Sequence, residues 1–298
     1  MTETAIGPPL AAGRIRPAVR ADKDAVARML ASEFAHGVPA ASFARLFEHA
    51  WSSEDRLGLV VEADSRVVGY LGTVYSDRVD ASGRAYTVCS LSSWYVQPAY
   101  RSMGLALLLR TINQRGVSVV SLSPNQNAAP VYLKCGMTEI SPGFELYPAW
   151  HGVTASASLF RGPRLLTNHR EIRALLPAHE QRLLDDHAAY SCAHYAFVQE
   201  HSVAYLVTKR RVRQSFPRLP ITEILYFSDQ PLVWQYFPRI VAGLCVAERC
   251  VGVAVDRALL GIDVPPGGQL RSRLRVGKGP DIALAARDTL YSEMVLLD

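Results

Sequence analysis

A run of β-formers ends at Val96 and a leucine-rich helical pattern opens near Gly104; between them stand Gln97-Pro98-Ala99-Tyr100-Arg101-Ser102-Met103. A strand that stops at a proline and feeds a helix through small residues gathers free backbone N–H groups and the positive end of the helix dipole at one point. Such a point holds phosphate. Gly104 permits close approach of the main chain, Ala106 leaves room on the first turn, and Arg101 and Ser102 add side-chain donors. The junction needs a sheet behind it and a helix in front, which sets the search for a mixed α/β arrangement.

The flanking sequence supplies that arrangement. Ile15 to Val19 is a short strand, and Asp22 is placed to cap a helix whose apolar positions Ala25, Val26, Met29 and Leu30 recur at helical spacing. A second helix is predicted over 41–50. Leu57 to Glu62 and Val67 to Thr73 are runs of β-formers around the polar break Ala63-Asp64-Ser65, an antiparallel hairpin. Strand 86–96, helix 104–114, strand 117–122, helix 128–134 and strand 144–146 complete the order β-α-α-β-β-β-α-β-α-β.

About twenty residues past the first junction stands Asn125-x-x-Ala128-x-x-x-Tyr132-x-Lys134-x-Gly136-Met137. Asn125 suits either of two tasks, pairing with amides of a bound chain or capping the helix. Ala128 lets a thin chain pass close to the helix, and Tyr132 follows Asn125 by seven residues on the same face. Together with Val96-Gln97-Pro98 and Arg101-x-x-Gly104-x-Ala106, this pair of segments resembles the GCN5-related N-acetyltransferase (GNAT) superfamily. Its pyrophosphate loop reads Gln/Arg-x-x-Gly-x-Gly/Ala and its second motif Asn-x-x-Ala-x-x-x-Tyr-x-x-x-Gly-Phe; Met137 departs from the final aromatic residue.

The resemblance implies an α/β (α+β) fold with a mixed, mainly antiparallel sheet flanked by helices, in which strands 86–96 and 117–122 splay to leave a slot. Acetyl-CoA would be the acyl donor. Its pantetheine arm would lie along the main chain at Trp94, Tyr95 and Val96, its pyrophosphate on Arg101, Ser102, Met103, Gly104, Leu105 and Ala106, and Asn125 and Ala128 would line the arm. A primary amine, whose identity no motif records, would attack the thioester directly, and Tyr132 would protonate the departing thiolate. The general base is not written: Cys89 to Tyr95 has no carboxylate or imidazole, and Glu33, His36, Glu62 and Asp77 are the nearest candidates by topology. A water relay, or an amine already partly neutral, would remove the need for one. Two other readings stay open at this point, a donor with a longer acyl chain or an acyl carrier protein, and a non-catalytic CoA-binding or interaction module.

The second half repeats a fainter version of the same order. Helices 168–176 and 178–189 precede a hairpin, Tyr195 to Gln199 and Val203 to Val207, in which Tyr205-Leu206 stands where Tyr70-Leu71 stood. Strand 221–227, helix 232–247 and strand 251–256 continue the match. Two domains are therefore expected, 1–150 with the donor site and 151–298 as a degenerate relative. The turn Ser228-Asp229-Gln230-Pro231-Leu232 has no glycine, and Asp229 would repel a pyrophosphate.

Bulk properties agree with a folded two-domain chain: 298 residues, 49% hydrophobic and 20% charged. No apolar run reaches the roughly 18 residues a membrane helix needs, so a cytoplasmic protein without a membrane partner is expected. The five cysteines lack metal-ligand spacing, as do His179, His187, His194 and His201, and no metal is expected. Of the net charge of +5, the second half holds 18 Lys+Arg against 14 Asp+Glu and the first 14 against 13. That excess does not call for nucleic acid. The basic run Lys209 to Arg213 and the alternating Arg271, Arg273 and Arg275 are expected on solvated strand faces; oligomerisation is left open.

Overall fold

The computed structural model describes residues 13–34, 39–49, 51, 56–80, 82–152, 163–212 and 219–297. The chain separates into two compact units, one of residues 1–119 with 296–298 and one of residues 120–295.

The first unit opens with β1 (Arg14–Pro17), α1 (Lys23–Glu33) and α2 (Ala40–Ala44), and continues through β2 (Leu59–Ala63), β3 (Arg66–Val79), β4 (Ala85–Val96), α3 (Ser102–Ile112) and β5 (Val117–Ser121), within which the division falls. Its strands run β1-β2-β3-β4-β5. The β2–β3 hairpin turns where predicted, with Asp64 and Ser65 both at positive φ, as a tight turn between right-twisted strands needs. Val26 and Leu30 of α1, Phe43 of α2, and Leu107 and Leu108 of α3 are buried, as are Val60, Tyr70 and Val74 of the sheet. Each such Leu contributes about 2 kcal/mol of burial. Tyr70 stacks on Phe47 with ring centroids 5.6 Å apart and donates to the Leu57 carbonyl over 2.7 Å, so the ring packs while its hydroxyl stays satisfied.

Asp22 does not cap α1. It is buried, accepts from the Val19 amide over 2.9 Å, and is bridged by the Arg16 guanidinium at 2.7 and 2.8 Å. The Arg16 hydrogen bonds, opposed by burial, hold its carboxyl below the usual carboxylate range. A buried arginine fork outcompetes a helix terminus for a carboxylate.

The second unit contains α4 (Ala128–Lys134), β6 (Thr138–Pro148), β7 (Arg164–Leu166), α5 (His169–Leu175), α6 (Ala178–His187), β8 (Ala193–Gln199), β9 (Ser202–Val212) and β10 (Pro220–Phe227). It ends with α7 (Gln230–Gln235), α8 (Phe237–Glu248), β11 (Gly252–Asp256), α9 (Arg257–Leu260), β12 (Gln269–Lys278), α10 (Ile282–Ala285) and α11 (Glu293–Leu296). The sheet order is β12-β6-β11-β10-β9-β8-β7, with β10 and β11 parallel and the other registered pairs antiparallel. Because β6 lies between β12 and β11, compactness groups 120–150 with the later residues, whereas sequence repetition divides the chain at 150.

The helix predicted over 232–247 is two helices, broken at Tyr236, with Pro238 in the first turn of α8 where its missing N–H is harmless. The basic strands are also not simple solvated faces. Lys209 is 2% and Arg275 1% exposed. Arg273 and Arg211 pair with Glu223, Arg275 lies 3.6 Å from Glu223 and 2.9 Å from Asp256, and Lys209 donates to the Val295 carbonyl. Arg271 is exposed, as expected, and Arg213 lies outside the described residues. Burial pushes the Glu223 carboxyl up, yet Arg273, Arg211 and Arg275 outweigh it and bring it to about 2. Glu223 on β10 and Asp256 on β11, strands that do not pair with β12, draw Arg273 and Arg275 inward while Arg271 stays at the surface.

Candidate active site

In the first unit, β3 and β4 pair regularly from Val79↔Ala85 to Gly72↔Ser92, then lose register and resume at Tyr70↔Tyr95 and Gly69↔Val96. Ser93 and Trp94 thus oppose Leu71 alone, a β-bulge, with Ser93 at φ 47°. A non-glycine residue in the left-handed region costs energy and recurs where a backbone group is re-aimed. The sequence hint was weak: Ser92-Ser93, two small polar residues in an otherwise apolar strand. Trp94, in the bulge, and Tyr95 and Val96, immediately beyond it, are the predicted donor residues, the first two half-buried and the third buried.

A 3-10 turn at Pro98–Tyr100 links β4 to α3. Arg101 and Ser102 are exposed at the start of α3, and no described side chain caps that end. The Gly104 N–H bonds back to the Arg101 carbonyl over 3.0 Å, so it is the N–H groups ahead of it in the first turn that face an external acceptor. Gly104 is buried against the sheet. A Cβ there would meet Trp94 Cζ2 at 3.5 Å and Val96 Cγ2 at 3.7 Å, which are ordinary contacts. The protein's own packing thus accepts alanine at 104, and a long side chain would be driven into Trp94. Met103 and Ala106 are half-buried, whereas Leu105 is 48% exposed.

The second unit holds the other predicted residues. Asn125 Oδ1 accepts from the amides of Asn127 and Ala128 at 3.0 and 2.8 Å, so of its two tasks it performs the helix-opening one. Its side-chain amide N–H groups are not used in those two bonds. Ala128 begins α4. Tyr132 is 4% exposed and shares a hydrogen bond with Ser121; burial, eased by Ser121, pushes its phenol well above the ordinary value. It is protonated at neutral pH.

The candidate bases separate. Glu62 pairs with Arg16, and Asp77 accepts from Thr87 Oγ1 over 2.9 Å. His36 lies outside the described residues. Glu33, exposed at the end of α1, stands near the Tyr95 hydroxyl next to the bulge, and burial together with that carboxylate raises the Tyr95 phenol.

The helix of the second unit at the corresponding place is built differently. Asp229, at φ 48°, puts its carboxylate 3.1 Å from the Leu232 amide and occupies the start of α7. An internal anion thus stands where α3 has none. No helix of the described residues is long and apolar enough to cross a membrane.

The first unit thus combines a mainly antiparallel sheet flanked by helices with a bulged strand running into a helix that no described side chain caps. Residues 23–137 match the model of the Acetyltransferase (GNAT) family, so the chain carries a GNAT domain there. Among solved structures it resembles a GCN5-related N-acetyltransferase from Anabaena variabilis (14% identity, 89% of this chain and 72% of that one, TM-score 0.55). A protein from Enterococcus faecalis of unknown function, described as a probable N-acyltransferase, is similar at 12% identity over 89% and 72% of the chains, TM-score 0.58. A GCN5-related N-acetyltransferase from Kribbella flavida is similar at 15% identity over 93% and 74%, TM-score 0.56. At such identities the likeness is one of fold, and it extends well beyond residues 23–137. No curated protein matches the sequence.

Proposed function

We propose that the protein is an N-acetyltransferase that moves the acetyl group of acetyl-CoA to a primary amine. The observation that carries the reading is the free start of α3, flanked by exposed Arg101 and Ser102 and preceded by the bulge at Ser93. Arg101 to Ala106 receive the pyrophosphate through main-chain N–H groups and the Arg101 guanidinium. The pantetheine arm lies along Trp94, Tyr95 and Val96 as an added strand, and the family resemblance assigns Asn125 and Ala128 to the same ligand.

In the reaction the amine nitrogen attacks the thioester carbon, the carbonyl oxygen gains negative charge, and backbone N–H at the bulge stabilises it. The C–S bond then breaks, Tyr132 gives its proton to the thiolate, and the amine proton passes to water or to Glu33. The products are the acetamide and free CoA. The domain reading follows: residues 1–150 carry the donor site, and 151–298 are a related domain whose pyrophosphate position is filled by Asp229. Tyr70 and Tyr205, the paired positions of the two hairpins, are both fully buried, which supports the repeat.

The test is release of CoA thiol from acetyl-CoA across polyamines, amino sugars, peptides and aminoglycosides. Amine-dependent release with at least one class supports the reading. Binding of acetyl-CoA without any such release would leave a CoA-binding module.

A further inference from the structure

The second unit contains a cavity of about 640 Å³ that none of the residues assigned to the donor lines. Its walls are the rings of Trp234, Phe237 and His151, closed by the segment Ile262–Pro266. The Trp234 and Phe237 centroids lie 5.8 Å apart at 73°, and those of His151 and Phe237 6.3 Å apart at 66°, so ring faces are turned in more than one direction.

The fourth wall is held in place. Trp234 Nε1 donates to the Asp263 carbonyl over 2.6 Å, and the buried Tyr147 hydroxyl donates to the Pro265 carbonyl over 2.9 Å. Gly267, at φ 89°, lets the segment turn back against His151, where a Cβ would stand 2.6 Å from the imidazole. The volume is that of a small-molecule site rather than a packing defect.

Charge decides what fits. Among the described residues of the lining, Asp263 brings the one carboxylate, and there is no arginine or lysine. Burial lowers the His151 imidazole below its ordinary value, which keeps it neutral at pH 7. Aromatic faces with one negative charge favour a cation whose charge is spread over apolar groups. We propose that this cavity binds a small organic cation, an alkyl- or quaternary ammonium group seated against the half-exposed rings of Trp234 and His151, with buried Phe237 packed behind them and Asp263 as its counter-charge. The inference is independent of the donor site and stands or falls by itself.

The test uses the full chain with choline and its uncharged carbon isostere, 3,3-dimethyl-1-butanol, followed by calorimetry and tryptophan fluorescence. Choline is expected to bind at least about tenfold more tightly than the isostere, the scale of a desolvated cation–π contact. Asp263→Asn is expected to remove most of that preference. The segment should keep its shape in this variant, because Trp234 bonds the Asp263 backbone and not its side chain. Trp234→Phe, which retains a ring, should abolish the fluorescence change and so assign it among the four tryptophans. Equal affinity for choline and the isostere, an undiminished preference in Asp263→Asn, or no choline binding at millimolar concentration would each overturn the proposal.

Discussion

The Glu33 carboxylate at the end of α1 stands near enough to the Tyr95 hydroxyl, just past the bulge, to help raise its phenol above the ordinary value. Of the acids considered from the sequence, it is the one the structure joins to a predicted donor residue. Glu33→Gln keeps the shape of the side chain but cannot take a proton. It is expected to lower kcat about 100-fold with little change in the KM for acetyl-CoA. The pH–rate profile should also lose its acidic limb; an unchanged profile would remove Glu33 from proton transfer.

Tyr132 is buried and protonated, so Tyr132→Phe deletes a proton donor with little loss of packing. Acetyl-CoA affinity should stay within a factor of about two, while turnover falls on the order of 100-fold. Full turnover in the variant would reject the acid role.

Glu223 is the shared counter-charge of Arg211, Arg273 and Arg275. Glu223→Gln leaves Arg273 and Arg275 without that charge and is expected to cost about 3–5 kcal/mol in urea unfolding. A loss below about 1 kcal/mol would show that Asp256 alone suffices.

His194 is buried, with Nδ1 2.7 Å from the Tyr205 hydroxyl, and burial, with lesser repulsion from His169 and His187, lowers it from 6.5 to about 4. The unfolded chain therefore binds a proton that the folded one refuses. Stability should be whole above pH 6.5 and fall as pH drops toward 4, by at most about 3 kcal/mol for this residue. His187 is lowered in the same direction and adds to the slope. His194→Gln should flatten the decline of Tm between pH 7 and 5; an identical slope would contradict the assignment.

The elements of the first unit were largely legible because amphipathic period, Asp64-Ser65 and the proline at 98 are local signals. The bulge at Ser93 was not, since register depends on the partner strand and β4 shows no glycine or proline to mark it. The interior placement of Arg273 and Arg275 was equally hidden. It rests on Glu223 and Asp256, distant in sequence and brought near only by the sheet order. The cavity beside Trp234 drew no signal, because its lining comes from three separate stretches. Asp22 and Asn125 show how one side chain with two local uses is settled by its surroundings.

The central claim is that the start of α3 holds the pyrophosphate of acetyl-CoA, and titration calorimetry tests it with two substitutions at one residue. Gly104→Ala fits against Trp94 at ordinary contact distance and should bind acetyl-CoA as the wild type does. Gly104→Glu adds bulk and negative charge at that helix start and should abolish binding. Unchanged affinity in the glutamate variant, or no binding by the wild type, would contradict the account.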